Sequence, residues 1–273
     1  MKHVGVIGAG VLGGLLVEWF RGRFATVPLV EKVSVWDPPL KLIDDLRDCD
    51  VIFICVPTPE GENGTLVSDA LLDAVEVATF EAKPRTIVIR STLVPGTLQM
   101  LRAKHPDHHW VFLPEFLTER SAKDDFEHPD AYVIGEDPPF EGVWQEHPLL
   151  KYMPHTPDTK YTWCPSFSAE LVKLASNAFY ATKLSFMNEL YDALPALEPG
   201  GEDVAQAVFE GLSTLWMVGR QHLNVHQDGY RGFGGKCLPK DSKALLGYSQ
   251  RVGAEMTVLR GAIEYNDRLR SSK

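Results

Sequence analysis

The densest chemistry in the sequence is the stretch Gly232-Phe233-Gly234-Gly235-Lys236-Cys237-Leu238-Pro239-Lys240-Asp241. Its glycines deliver one cysteine to the point where Pro239 marks the first turn of a helix. Unpaired amides at that helix start, with Lys236 and Lys240 nearby, favour thiolate over thiol, and the thiolate is the reactive form. Cys237 is therefore the candidate nucleophile. The other cysteines read differently: Cys55 lies inside an apolar run and is expected in the core. Cys49 and Cys164 have no chemical context and are expected to be structural.

A second candidate site opens the chain. Gly8-Ala9-Gly10-Val11-Leu12-Gly13 lies between the apolar run Val4 to Ile7 and residues Leu15, Leu16, Trp19 and Phe20, which recur at helical spacing. In a strand-turn-helix setting the first glycine permits the tight turn and the second lets a pyrophosphate approach backbone. The third allows close packing, and the helix N-terminus faces the phosphates. Asp37 closes the next strand, where a carboxylate accepts from adenosine ribose hydroxyls and repels a phosphate, so NAD is expected over NADP. The competing reading is a plain tight turn and a strand-end cap. Lys173 and Asn177 stand four apart on one helix face, a spacing that can hold an oxyanion but, taken alone, more often marks a solvated surface.

These residues need a scaffold, and the sequence rhythm describes one. Short apolar runs at Val33 to Asp37, Val51 to Val56, Thr86 to Ser91, Trp110 to Leu113 and Tyr132 to Ile134 alternate with amphipathic stretches. Such runs suit strands covered on both faces. Ala169 to Leu190 then reads as one long helix, Gly229 to Gly235 as a glycine loop, and Pro239 onward as a further helix through Leu246. The expected fold class is α/β: a Rossmann-like, doubly wound parallel sheet over residues 1–165, followed by an all-helical domain over residues 166–273. The long apolar helix suggests a homodimer.

Composition narrows the partners. The chain has 273 residues, 44% of them hydrophobic, enough to bury a sizeable core. A formal charge of -10 repels nucleic-acid phosphates and anionic lipid, so neither is an expected partner; a small molecule is. The N-terminus lacks the apolar core of a signal peptide, and no apolar stretch is long enough to span a bilayer. Four cysteines without a CxxC pair imply a reduced, cytoplasmic compartment, and no metal site is expected.

The Cys237 segment resembles the GFGGxCxPKD signature of the nucleotide-sugar (UDP-glucose/GDP-mannose) dehydrogenases. Other segments agree with that family in order: Val56-Pro57-Thr58-Pro59, Ser91-Thr92-Leu93-Val94-Pro95-Gly96-Thr97 and Pro114-Glu115-Phe116-Leu117-Thr118-Glu119. Glu170-Leu171-Val172-Lys173 with Asn177 and Asn188-Glu189 continue the match. The resemblance implies two successive oxidations of a primary alcohol by NAD, with Cys237 forming a thiohemiacetal and then a thioester. It gives Lys173 and Asn177 oxyanion stabilisation, Glu115 or Glu119 the hydrolytic water, and Thr92 with Asp241 a water for the first oxidation. Cofactor contacts would fall to Gly8, Gly10, Val11, Leu12, Gly13, Asp37, Val56, Pro57, Thr58, Ser91, Thr92, Glu119 and Lys240. Substrate contacts would fall to Phe116, Leu117, Lys173, Asn177, Phe233 and Gly234, with Arg220 and Arg231 as phosphate contacts or ordinary surface charges. The family continues into a further nucleotide-binding domain, whereas this sequence ends at Lys273, so a truncated form is expected. Leu113 stands where relatives commonly have asparagine. Two alternatives remain: a two-electron dehydrogenase of a small alcohol or hydroxy acid, and a non-catalytic NAD-binding subunit.

Overall fold

The computed structural model describes residues 2–22, 30–197, 201–226 and 229–271. They divide into two compact units, residues 1–59 with 66–173, and residues 60–65 with 174–273. The division falls inside the long helix and not at its start.

Among the described residues the first unit has eight strands: β1 (His3–Ile7), β2 (Lys32–Asp37), β3 (Leu42–Ile43), β4 (Val51–Ile54), β5 (Thr86–Ile89), β6 (His109–Phe112), β7 (Ala131–Gly135) and β8 (Lys160–Cys164). They form one sheet in the order β3-β2-β1-β4-β5-β6-β7-β8. β2, β1, β4, β5 and β6 run parallel. β3 is antiparallel to β2, β7 antiparallel to β6, and β8 parallel to β7. The chain leaves β1 first toward β2 and later returns to its other side at β4, which makes the C-terminal edge of β1 the switch point where such sheets take ligands.

Helices α1 (Val11–Phe20), α2 (Asp69–Thr79), α3 (Thr97–Lys104) and α4 (Ala122–Glu127) belong to this unit. Alternation along the strands creates two apolar layers. One gathers Val4, Val6, Phe53, Val88, Val111 and Leu113 under Leu16 and Phe20 of α1. The other gathers Ile7, Ile52, Ile54, Ile87, Ile89 and Phe112 with Leu71 and Ala74 of α2 and Leu98 of α3. β4 and β5 end two residues before the sequence runs do, because Val56-Pro57 and Ser91-Thr92 leave the ladder as turns. β3 and β8 escape the sequence reading. β3 is two exposed residues, and β8 is an edge strand that never becomes a continuous apolar run.

The helix expected over Ala169 to Leu190 is longer at both ends, α5 (Ser166–Leu197), and is followed by α6 (Gly201–Thr214), α7 (Leu238–Arg251) and α8 (Thr257–Ser271). Within the second unit, Lys183 of α5 donates from Nζ to the carbonyls of Val218 (2.9 Å), Gly219 (3.1 Å) and Gln221 (2.5 Å), closing the end of the segment that follows α6. Ser185 donates to the carbonyl of Ala262 at 2.8 Å and ties α5 to α8.

Within the first unit, α5 supplies something α3 lacks. The residue before α3 is Gly96, at φ +94, which has no side chain to cap the helix. Glu170 takes that place: its two carboxylate oxygens accept from the amides of Gly96 (2.6 Å) and Leu98 (2.7 Å). Burial drives the Glu170 carboxyl up from 4.5 to about 7, against the opposing pull of the two amides. A group raised in the folded state holds a proton that the unfolded chain has already released, so stability falls as pH rises from 4.5 through about 7. Glu170→Gln stays neutral throughout. Denaturant titrations should therefore show the wild-type stability, relative to that variant, falling by on the order of 3 kcal/mol across this range. A constant difference would refute the assignment.

Candidate active site

The glycine loop follows β1. Gly8 sits at φ +86, and a Cβ there would lie 2.8 Å from the carbonyl oxygen of Cys55. A Cβ on Gly13 would come within 1.8 Å of the Gly8 carbonyl oxygen, so α1 packs against the loop with no room for a side chain. Gly10 is the opposite case: a Cβ there meets nothing within 4 Å. Two of the glycines are thus required by the fold, while the third leaves backbone open at the start of α1. Val11 beside it is exposed. Asp37 is tied into the same loop: Oδ2 accepts from the Ala9 amide at 2.7 Å and Oδ1 from Leu40 at 3.2 Å. Across the switch point, Ser91 donates to the carbonyl of Val56 at 2.7 Å, joining the turns after β4 and β5. Thr58 is buried and Pro57 exposed.

A second cluster of the first unit lies beyond β6. Lys173 is 3% exposed, and its Nζ donates to the backbone carbonyl of Glu115 at 2.5 Å and to its Oε1 at 3.1 Å. The other carboxylate oxygen accepts from the Leu117 amide at 2.6 Å. The same ammonium lies 5.3 Å from the centre of the Phe116 ring. Burial alone would raise the Glu115 carboxyl, but Lys173, the Leu117 amide and Arg90 outweigh it and hold it below the usual carboxylate range. Glu115 is therefore an ionised, partly desolvated carboxylate that can accept a proton. Glu119 is exposed, and Thr92 is half-buried at the start of its turn.

In the second unit Cys237 is the N-cap residue of α7, with Pro239 in the first turn, as its sequence position suggests. It is exposed, whereas Cys49 is buried and Cys55 and Cys164 are half-buried. Burial pushes the thiols of Cys49 and Cys55 up to about 12, which leaves both inert. Asn177 donates to Asp241 at 2.5 Å, and the other oxygen of Asp241 meets Lys240 Nζ at 2.5 Å. Asp241 is fully buried, and its amide donates to the Cys237 carbonyl at 2.9 Å. The loop before the cysteine is pinned by two buried asparagines. Asn188 Oδ1 accepts from the Gly232 amide at 3.1 Å, and Asn266 Oδ1 accepts from the Phe233 amide at 2.7 Å. Gly232, at φ +81, and Gly234 leave no space for a Cβ against Asn266 and Tyr230.

Arg231 faces α5. It donates to Asn188 Oδ1 (3.0 Å), the Asn188 carbonyl (2.9 Å) and Asp192 (2.6 Å), and its guanidinium lies 4.6 Å from the Tyr191 ring centre. Arg220 is exposed. Asn266 carries no signal in the sequence reading, because an asparagine inside a helical stretch reads as surface. Among the described residues no cluster of histidine, cysteine, aspartate and glutamate could hold a metal ion.

Comparison with known proteins decides the family. Residues 40–146 match the NAD binding domain of the UDP-glucose/GDP-mannose dehydrogenase family, and residues 167–268 match its central domain. The chain belongs to that family. UDP-glucose/GDP-mannose dehydrogenase relatives include the UDP-glucose 6-dehydrogenase of Rickettsia typhi, 34% identical over 232 residues covering 82% of this chain and 50% of that protein. YwqF of Bacillus subtilis, also a UDP-glucose 6-dehydrogenase, is 31% identical over 230 residues, 81% of this chain and 49% of its own. This chain thus spans about half the length of such relatives. Its fold superposes on a UDP-glucose dehydrogenase from Pyrobaculum islandicum with a TM-score of 0.76, at 23% identity over 98% of this chain and 68% of that one.

NAD is accordingly the cofactor of the first unit. The matched residues begin after the glycine loop, so the fit of the loop rests on its own geometry: the open backbone at Gly10 and the carboxylate of Asp37 beside it. Gly10→Ala should keep stability within about 1 kcal/mol of wild type yet weaken NAD binding in a fluorescence titration. Gly13→Ala should cost about 3 kcal/mol or more in a denaturant melt, because backbone and not a flexible side chain blocks the added methyl. Equal effects of the two changes would show that the loop is not arranged for a ligand.

Proposed function

We propose that this chain oxidises a primary alcohol to a carboxylic acid in two NAD-dependent steps, with Cys237 holding the intermediate. The observation that carries the reading is an exposed cysteine at the N-cap of α7, in a loop fixed by Asn188 and Asn266. A cysteine kept for packing would be buried, as Cys49 is.

When bound, NAD supplies the hydride acceptor for both oxidations. Gly8, Gly10, Val11, Leu12 and Gly13 line the pyrophosphate, and Asp37 accepts from the adenosine ribose. Val56, Pro57, Thr58, Ser91, Thr92, Glu119 and Lys240 complete the cofactor contacts. In the first oxidation the alcohol gives its hydroxyl proton to a water held by Thr92 and Asp241 while its carbon gives up hydride, leaving the aldehyde. The thiolate of Cys237 then adds its electron pair to the aldehyde carbon, and the former carbonyl oxygen, taking a proton back from that water, becomes the hydroxyl of a thiohemiacetal. Loss of that hydroxyl proton and of hydride from carbon leaves a thioester. Glu115, ionised because Lys173 and the Leu117 amide outweigh its burial, takes a proton from water, whose oxygen adds to the thioester carbon and expels the thiolate. Lys173 and Asn177 donate to the oxyanions formed along this route. The names of the relatives support a nucleotide sugar as substrate, met by Phe116, Leu117, Phe233 and Gly234, with Arg220 as a phosphate contact or an ordinary surface charge; Arg231 is instead taken up by Asn188 and Asp192. Four cysteines without a CxxC pair support a cytoplasmic setting, and the net charge of -10 argues against nucleic-acid partners.

NADH formed per substrate consumed tests the route, with a panel from UDP-glucose and GDP-mannose to small hydroxy acids. Two NADH per molecule, with acid as product, is expected from wild type, and Cys237→Ser should lose acid formation while retaining NAD binding. One NADH per molecule would establish a two-electron dehydrogenase and leave Cys237 outside the chemistry.

A homodimer through α5 is part of the same proposal. Val172, Phe179 and Phe186 recur every seven residues on one face of α5 and are 40%, 65% and 59% exposed. Light scattering should give twice the chain mass, and Phe179→Glu with Phe186→Glu should give the single mass. A wild-type monomer at micromolar concentration would refute the dimer.

A further inference from the structure

Arg90 follows β5, and its amide continues the ladder by donating to the Ile54 carbonyl at 2.9 Å. Its residue surface is only 5% exposed, yet Nε and Nη1 are buried with no hydrogen-bond partner. A buried donor left unpaired costs about 1 to 3 kcal/mol, and more on a charged group. Such an arrangement persists where something other than the folded chain completes it.

The groups whose charge Arg90 affects are Cys55, Glu115 and Tyr132. None supplies the missing acceptor. Glu115 uses its two oxygens on Lys173 and the Leu117 amide, and the Tyr132 hydroxyl donates to the Pro154 carbonyl at 2.7 Å. The Cys55 thiol is uncharged and at best a weak acceptor.

Strand alternation gives Arg90 the same sheet face as Val88, the face covered by α1 and by the start of the glycine loop. In the sheet order β5 lies two strands from β1 on the side away from β2 and Asp37. At about 4.8 Å per strand that is roughly 10 Å, the direction in which a dinucleotide with its adenosine at Asp37 and its pyrophosphate at the loop must run. We propose that Arg90 binds the nicotinamide half of NAD, donating from Nε and Nη1 to an oxygen acceptor on that half. The inference rests on NAD occupying the glycine loop.

Fluorescence titration with NADH, and competition by ADP-ribose, which lacks the nicotinamide, separates the possibilities in wild type, Arg90→Met and Arg90→Lys. Arg90→Met should weaken NADH roughly 10-fold or more, with Arg90→Lys intermediate, while ADP-ribose binds as in wild type. The ligand-free Met variant should melt no lower than wild type, since it removes a buried charge without partners and keeps an apolar stem of similar length. Unchanged NADH affinity would overturn the proposal and leave Arg90 to a buried water. Equal weakening of NADH and ADP-ribose would also overturn it, by showing damage to the loop as a whole. If wild type binds neither ligand, the NAD reading itself fails and the proposal with it.

Discussion

Buried polar side chains on a helix must each find a partner, and that requirement organises α5. Glu170, Lys173, Asn177, Ser185 and Asn188 are all at least nine-tenths buried, and every one is hydrogen-bonded to another segment or to its own helix. An apolar helix could slide or rotate against its neighbours at little cost. One that buries a carboxylate, an ammonium and two amides is confined to the register in which all are satisfied, because each mismatch leaves a desolvated group unpaired. The first turns of α5 fix α3 and Glu115 in this way within the first unit, and later turns fix Asp241 and the cysteine loop within the second.

The two glycine-rich loops solve the same problem by different means. Around Gly8 and Gly13 the chain is held by backbone approaching backbone, so the glycines are there to permit contact. Around Gly232 and Gly234 the chain is held by side chains reaching in, with Asn188 and Asn266 accepting loop amides. The first arrangement leaves an open stretch of amide backbone, which suits an anion. The second leaves Cys237 exposed, which suits the nucleophilic role proposed for its thiol.

Much of this was legible in the sequence because it depends on local pattern. The parallel core strands announce themselves as apolar runs, and Pro239 places Cys237 at a helix start. β8 was not legible, since an edge strand with one wet face lacks such a run. Neither was the role of Glu170, whose partners Gly96 and Leu98 are more than seventy residues away. Asn266 and Arg90 were missed for a related reason. Their significance lies in burial, and a polar residue in an ordinary helical or strand-end context reads as surface until its neighbours are known. Arg231 was singled out for its charge, yet its geometry is explained by Asn188 and Asp192.

The latch between Asp37 and the Ala9 amide carries a consequence for redesign. A carboxylate at the end of the second strand is the obvious position to change when a dehydrogenase is to be converted to a phosphorylated cofactor. Here one oxygen of that carboxylate accepts from the Ala9 amide, so with Asp37 at the ribose as proposed, neutralising it would remove a barrier to phosphate and loosen the loop in one stroke. Changing cofactor preference in this chain therefore calls for a paired substitution: one side chain to admit the phosphate and a second acceptor to keep the Ala9 amide in place.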